Sequence, residues 1–489
     1  MNGPQAPGLG ARTLRGAGWA YASYVAGRVL VLVTTVILAR LLSPQEFGLV
    51  ALALVFTALL ATVKDLGVTQ SLIVDHGDGE ARASTACAFT IAAAILLWAV
   101  TAALGPVAAA FFDEPRLTVM LAVLGANFPL RALGATHYAL AQRRLDFKAR
   151  AAAETAEVLV RGATGMALAL AGVGAYSLVV GYLAGSVALT AALWLRVPFR
   201  PSRREMRREH LSSLVRLGGT LTAVDVIAAF NSQVDNLFVG RVLGAGALGL
   251  YAIAFRLPEL LIRNLALVAG QVLYPGFAAL DRAALGRGFV VALRLTAAVA
   301  LPVSVGLAVM AEPFVRALFG EQWLGAVDAM RVLAVFGLAT ALNVPAGSAY
   351  KATGRAGTLL MLSIPRGLAL VGALLLFAGE GIVAVALCQT VTSLVAAVAA
   401  TLLASRLLDV RNAAFVHALW APVVAAAVLA GVLLGVDAVL DSWAALAAGV
   451  ALGVSAYVGT MALIAPDVVA TARGLRGAGR PAPAPDGAS

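Results

Sequence analysis

Residues 39–50 read ARLLSPQEFGLV, and residues 240–251 read GRVLGAGALGLY. Arg40 and Arg241, Leu42 and Leu243, Gly48 and Gly249, and Leu49 and Leu250 recur in register, at an offset of 201. Further along, Arg161-Gly162 pairs with Arg366-Gly367 at an offset of 205, and Gly172 and Gly174 pair with Gly379 and Gly381 at 207. The chain therefore carries a weak internal repeat. Each copy of the first motif lies between two long apolar runs, and what those runs are decides the fold.

Of the 489 residues, 61% are hydrophobic and only 12% charged, and the mean hydropathy is +0.91. A soluble chain carries about 25% charged residues, so about half of the usual surface charge is missing. A soluble core cannot absorb that much apolar surface, whereas a bilayer can. About 20 apolar residues cross the hydrocarbon as a helix. Reading apolar runs against charge and turn breaks gives fourteen spans: 17–39, 48–66, 85–107, 117–140, 151–171, 174–195, 213–240, 247–273, 289–312, 327–350, 357–378, 381–404, 414–435 and 442–464. The expected fold class is an all-α membrane protein.

Partners in the repeat are six spans apart. Six is even, so the two halves point the same way through the membrane. Parallel six-helix repeats are the plan of transporters with two lobes about a midplane cavity. The expected organisation is an N-terminal six-helix lobe (1–196), a basic cytoplasmic linker (197–212), a second six-helix lobe (213–405), two additional helices (406–466) and a cytoplasmic tail (467–489). The tail ends in PAPAPDGAS and is expected to be disordered.

Orientation follows from Lys and Arg. Of 36 basic residues, 25 fall on one side together with both termini, in connections or at the adjoining span ends (Lys64, Arg216, Arg294), four (Arg40, Arg116, Arg241, Arg316) fall on the other side, and seven lie deeper within spans. Both termini are therefore expected in the cytoplasm. The net charge of +11 is a topology signal, and nucleic acid is not an expected partner. Cys87 and Cys388 lie in apolar runs, and the four histidines lack ligand spacing, so neither a disulfide framework nor a metal site is expected. Gly244-Ala245-Gly246-Ala247-Leu248-Gly249 fits G-x-G-x-x-G, but no strand precedes it and no acid follows about 20 residues on. It reads as a tight interhelical turn with small-residue packing. No phosphate-binding lysine motif or nucleophile elbow occurs, so no cofactor and no enzymatic activity are expected.

Ionisable side chains at bilayer depth are costly and normally meet a watery cavity or a partner. Counted at 1.5 Å per residue from the span ends, Arg28, Arg161, Arg256 and Arg366 lie near mid-membrane on four different helices. Asp225 is also near the middle, and Asp235 lies in the outer third of its span. Glu154 and Glu157 occupy the inner part of span five. Arg256, Glu259 and Arg263 share a helix face by spacing. The arginines are candidates to bind an anionic headgroup, because guanidinium grips phosphate oxygens in two places and keeps its charge when buried. Asp225, Asp235 and Glu259 are candidates for ion coupling or ion pairing. The alternative is that these charges only pair with one another, Arg256 with Glu259, Arg161 with Glu157 and Arg28 with Asp225.

Several patterns together resemble the polysaccharide exporters, the oligosaccharide-lipid flippases of the multidrug/oligosaccharidyl-lipid/polysaccharide exporter superfamily. They are residues 39–48 (ARLLSPQEFG), residues 142–148 (QRRLDFK), residues 233–240 (QVDNLFVG) with Leu248-Gly249-Leu250-Tyr251, and Tyr274-Pro275. The resemblance covers nearly everything from Trp19 to Leu408. It implies a V-shaped two-lobed transporter that moves an undecaprenyl-diphosphate-linked oligosaccharide from the inner to the outer leaflet of the plasma membrane. Capsule, exopolysaccharide or O-antigen assembly would use that product. The implied partners are the lipid-linked oligosaccharide, membrane lipids, and a polysaccharide polymerase with glycosyltransferases. A peptidoglycan-precursor flippase and a cation-coupled multidrug antiporter are the alternatives. Arginine outnumbers acid at mid-depth, which argues against the antiporter.

Overall fold

A computed structural model of the chain describes residues 27–62, 68, 72, 79–144, 146–202, 226, 229–355, 357–438 and 442–466. The described residues are almost all helical, joined by short turns, with no strand among them. Helices are the economical solution in lipid, because each satisfies its own backbone N–H and C=O groups. Eleven helical stretches among these residues are long and apolar enough to cross a membrane. The chain divides into two compact units, Met1–Ala252 and Ile253–Ser489.

In the first unit, residues 27–41 are helical and lead into α1 (Pro44–Ala61). The quoted stretch sets that boundary. Ser43 Oγ accepts the backbone N–H of Glu46 at 3.3 Å, the Glu46 carboxylate accepts the backbone N–H of Ser43 at 2.8 Å, and Pro44 opens the helix. This capping box satisfies amides that a helix start leaves without partners. α2 (Gly79–Phe112) is followed by α3 (Arg116–Gly125) and α4 (Asn127–Arg143). α3 and α4 together cover the expected fourth span. α5 (Phe147–Leu170) and α6 (Tyr176–Arg196) form a tight antiparallel hairpin. Its turn uses Gly172 and Gly174 at φ +78° and +67°, backbone that a side chain would strain.

Residues 229–238 are helical and run into one π-helical turn, Val239–Leu243. Gly244, at φ +86°, then opens α7 (Gly244–Pro258), where the interhelical turn was expected. The expected span 247–273 is not one regular helix. Pro258 donates no hydrogen bond, and a second π turn, Glu259–Arg263, follows before α8 (Asn264–Ala278).

The second unit continues with α9 (Arg282–Val309), α10 (Val327–Ala352), α11 (Gly357–Phe377), α12 (Ile382–Leu407), α13 (Asn412–Asp437) and α14 (Ser442–Ile464). Phe289, Tyr350, Ala400 and Ala404 form one core, in which the Tyr350 hydroxyl donates to the carbonyl of Ala400 at 2.6 Å. Ala421, Ala425, Leu429 and Leu433 of α13 pack with Met310 and Met461. Tyr457 of α14 donates to the carbonyl of Ala298 in α9 at 2.8 Å. The two additional helices are thereby fastened to the body of the unit.

Candidate functional site

The two copies of the first motif meet inside the first unit. A Cβ added to Gly48 would collide with the carbonyl of Ala245, and one added to Gly249 would collide with the carbonyl of Pro44. Gly48 and Gly249 are repeat partners, and so are Pro44 and Ala245. The contact is therefore reciprocal, as across a two-fold axis. Small residues let membrane helices approach backbone to backbone in this way. Next to this junction Asp235 is 1% exposed. Its Oδ2 accepts the Tyr251 hydroxyl at 2.9 Å, and its Oδ1 accepts the backbone N–H of Asn236 at 2.9 Å. Asp235 thus anchors the first turns of α7.

A charged stripe runs along α5. Arg150, Glu154, Glu157 and Arg161 are spaced 4, 3 and 4 residues apart, so they share one face. Arg131 of α4 pairs with Glu157 at 2.6 Å. The Tyr138 hydroxyl of α4 donates to Glu154 at 2.7 Å and accepts from Arg150 at 2.8 Å. The Arg161 guanidinium lies 3.4 Å from the centre of the Tyr182 ring of α6, a cation–π contact. α6 comes this close because Gly181 and Gly185 face the Arg161 and Glu157 carbonyls, each with no room for a Cβ. The expected Arg161–Glu157 pair is thus replaced: Glu157 takes Arg131 and Arg161 takes Tyr182. Arg131, Tyr138 and Tyr182 were not singled out from the sequence. Their signal was a polar or aromatic residue in a span neighbouring a charged one.

In the second unit Glu259 binds Arg263 at 2.6 Å and reaches Arg256 at 3.9 Å, as the shared face predicted. Arg366 of α11 donates to the Ser393 hydroxyl of α12 at 2.8 Å. Arg28 is exposed on the helical residues 27–41. Asp225, with its expected pairing to Arg28, lies outside the described residues. The charged residues thus divide into an α5 group in the first unit and separate Arg256–Glu259–Arg263 and Arg366 groups in the second.

This helical architecture is that of solved membrane transporters. It is similar to the lipid II flippase MurJ in its inward closed conformation, with a TM-score of 0.78 at 15% identity, covering 92% of this chain and 99% of that one. It is also similar to an inward-facing multidrug resistance MATE family transporter of the MOP superfamily, with a TM-score of 0.64 at 18% identity, covering 78% and 94%. Residues 37–328 match the polysaccharide biosynthesis protein family, and the chain belongs to that family. Among curated relatives, the lipopolysaccharide biosynthesis protein WzxC of Escherichia coli is 27% identical over 348 residues, 70% of each chain. The succinoglycan biosynthesis transport protein ExoT of Rhizobium meliloti is 25% identical over 381 residues, 77% of this chain and 76% of that one.

Proposed function

We propose that this chain is a flippase that carries an undecaprenyl-diphosphate-linked oligosaccharide from the cytoplasmic to the outer leaflet of the plasma membrane for surface-polysaccharide assembly. Family membership across residues 37–328 is the observation that carries the reading. The internal repeat and the arginines at membrane depth support it. In this reading Arg28, Arg161, Arg256 and Arg366 hold the diphosphate and adjoining acidic groups through charge-assisted bonds. Asp225 serves ion coupling, while Asp235 and Glu259 hold their neighbours in place. Both termini are cytoplasmic, 1–196 and 213–405 act as the two lobes, and a polymerase with glycosyltransferases works on either side of the transport step.

A strain lacking the protein tests the reading. It should accumulate lipid-linked oligosaccharide in the inner leaflet, and complementation should clear it. Accumulation of a peptidoglycan lipid precursor instead would move the assignment to that substrate. Loss of drug resistance with no lipid accumulation would assign the antiporter role.

A further inference from the structure

Two observations set the α5 stripe apart: it is partly exposed, and its two acids are not a requirement of the fold. The first is the distribution of exposed residues around α5. Glu154 and the Arg131 that reaches across from α4 have side chains 47% and 43% exposed. Leu159 and Leu170 are 51% and 73% exposed, yet at about 100° per residue they lie on the opposite side of the helix from the stripe. Ala149, Ala153, Gly162 and Gly165, buried, occupy the flanks between. α5 therefore has two exposed faces, one apolar and suited to lipid, one charged. A charged face at this depth is tolerated only against a hydrated cavity or protein.

The second observation is the repeat. The offset of 205 that joins Arg161 to Arg366 also joins Arg150 to Arg355, but it sets Leu359 against Glu154 and Leu362 against Glu157. Leu359 and Leu362 pack on the Phe289–Tyr350 core of the second unit. The same helix position thus accepts leucine in one repeat, so the fold itself does not require the two acids. In the first unit they instead hold Arg131, Tyr138 and Arg150 in a partly exposed polar cluster that the second copy lacks.

We infer that the Arg150–Glu157 part of the α5 stripe, with Arg131 and Tyr138 of α4, is a subsite for the sugar portion of the transported lipid, separate from Arg161 and the other arginines that hold its diphosphate; the inference rests on the flippase reading above. A diphosphate needs cations and is repelled by carboxylates. Sugar hydroxyls need donors and acceptors side by side, and Glu154, Glu157, Arg131 and Arg150 supply both. Tyr138 adds an amphipathic ring that meets a sugar's apolar face and its hydroxyls. From Arg150 to Glu157 this part of the stripe is about 10 Å long, room for about two sugar rings in a row.

The test measures binding of two lipids to the full-length protein in nanodiscs: undecaprenyl diphosphate alone, and the oligosaccharide-bearing form extracted from cells lacking the protein. The Glu154→Leu, Glu157→Leu double variant reproduces the second unit's residues, and Glu154→Gln, Glu157→Gln removes the charges with little change of shape. Both should bind the oligosaccharide-bearing lipid about tenfold or more weakly and bare undecaprenyl diphosphate as the parent does. Equal weakening for both lipids, or none for either, overturns the subsite. A parent protein that binds both lipids equally also overturns it but leaves the flippase reading standing. A parent that binds neither overturns both. If the leucine variant fails to fold, the glutamine variant decides.

Discussion

Where the two copies of the first motif meet, the molecule is symmetric; along α5 and α11 it is not. Gly48 and Gly249 exchange equivalent contacts with Ala245 and Pro44, and a Cβ on either glycine would force the backbones apart. α5 and α11 share an arginine–glycine pair and little else: α5 carries a file of charges, whereas α11 turns leucines to a core. The physical lesson is that symmetry survives where packing sets the constraint and lapses where water or ligand does. Backbone contact admits one solution, so both repeats keep it. A hydrated face admits many, and function selects among them.

The largest effect is expected at the symmetric junction. Gly48→Val or Gly249→Val forces a side chain into a carbonyl and should destabilise by roughly 3 kcal/mol or more, read as a fall in thermal midpoint in detergent with reduced yield. A variant with parental stability would mean that the contact is loose. Next comes the α5 face: Arg161→Ala should lower transport about tenfold or more at normal abundance, while Arg161→Lys should retain part of it, since lysine keeps the charge but not the planar fork. Parental transport by Arg161→Ala would reduce the contact with Tyr182 to packing.

Smaller effects separate the two kinds of region further. Tyr350→Phe and Tyr457→Phe each remove one hydrogen bond to a carbonyl and should cost about 1 kcal/mol, with transport retained; thermal unfolding of the purified proteins checks this. Ser43→Ala, which opens the capping box of α1, should also cost about 1 kcal/mol, and somewhat less if the Glu46 carboxylate still holds the Ser43 amide. Transport lost out of proportion to stability in any of these three would show that the packed regions also take a direct part in transport.

Much of this was legible in the sequence, because a transmembrane helix announces itself by length and composition. α13 and α14 fall within a few residues of the expected 414–435 and 442–464, and the α5–α6 hairpin turns on the two glycines that the repeat singled out. The π turns at Val239–Leu243 and Glu259–Arg263 were not legible. An apolar run hides the loss of one hydrogen bond, and Pro258 alone does not say whether a helix kinks, widens or stops. The side-chain partners were only half legible. Arg256 and Glu259 are on one helix, so spacing predicted their contact. Glu157 preferred Arg131 from another helix, and Asp235 found Tyr251 sixteen residues on. Helices apolar on most sides give no periodic clue to which faces meet, so contacts between helices emerge only from the packed structure.

The most direct measurement is flipping itself. The purified protein is reconstituted into liposomes loaded with lipid-linked oligosaccharide, and sugar exposure is followed with a membrane-impermeant oxidant. About half of the sugar is exposed at once in protein-free vesicles. With the protein the remainder should become accessible over minutes, and Arg161→Ala and the Glu154→Gln, Glu157→Gln variant should slow this. An inner pool that stays protected as in protein-free vesicles, under every ion gradient imposed and with the lipid demonstrably bound, would contradict the account.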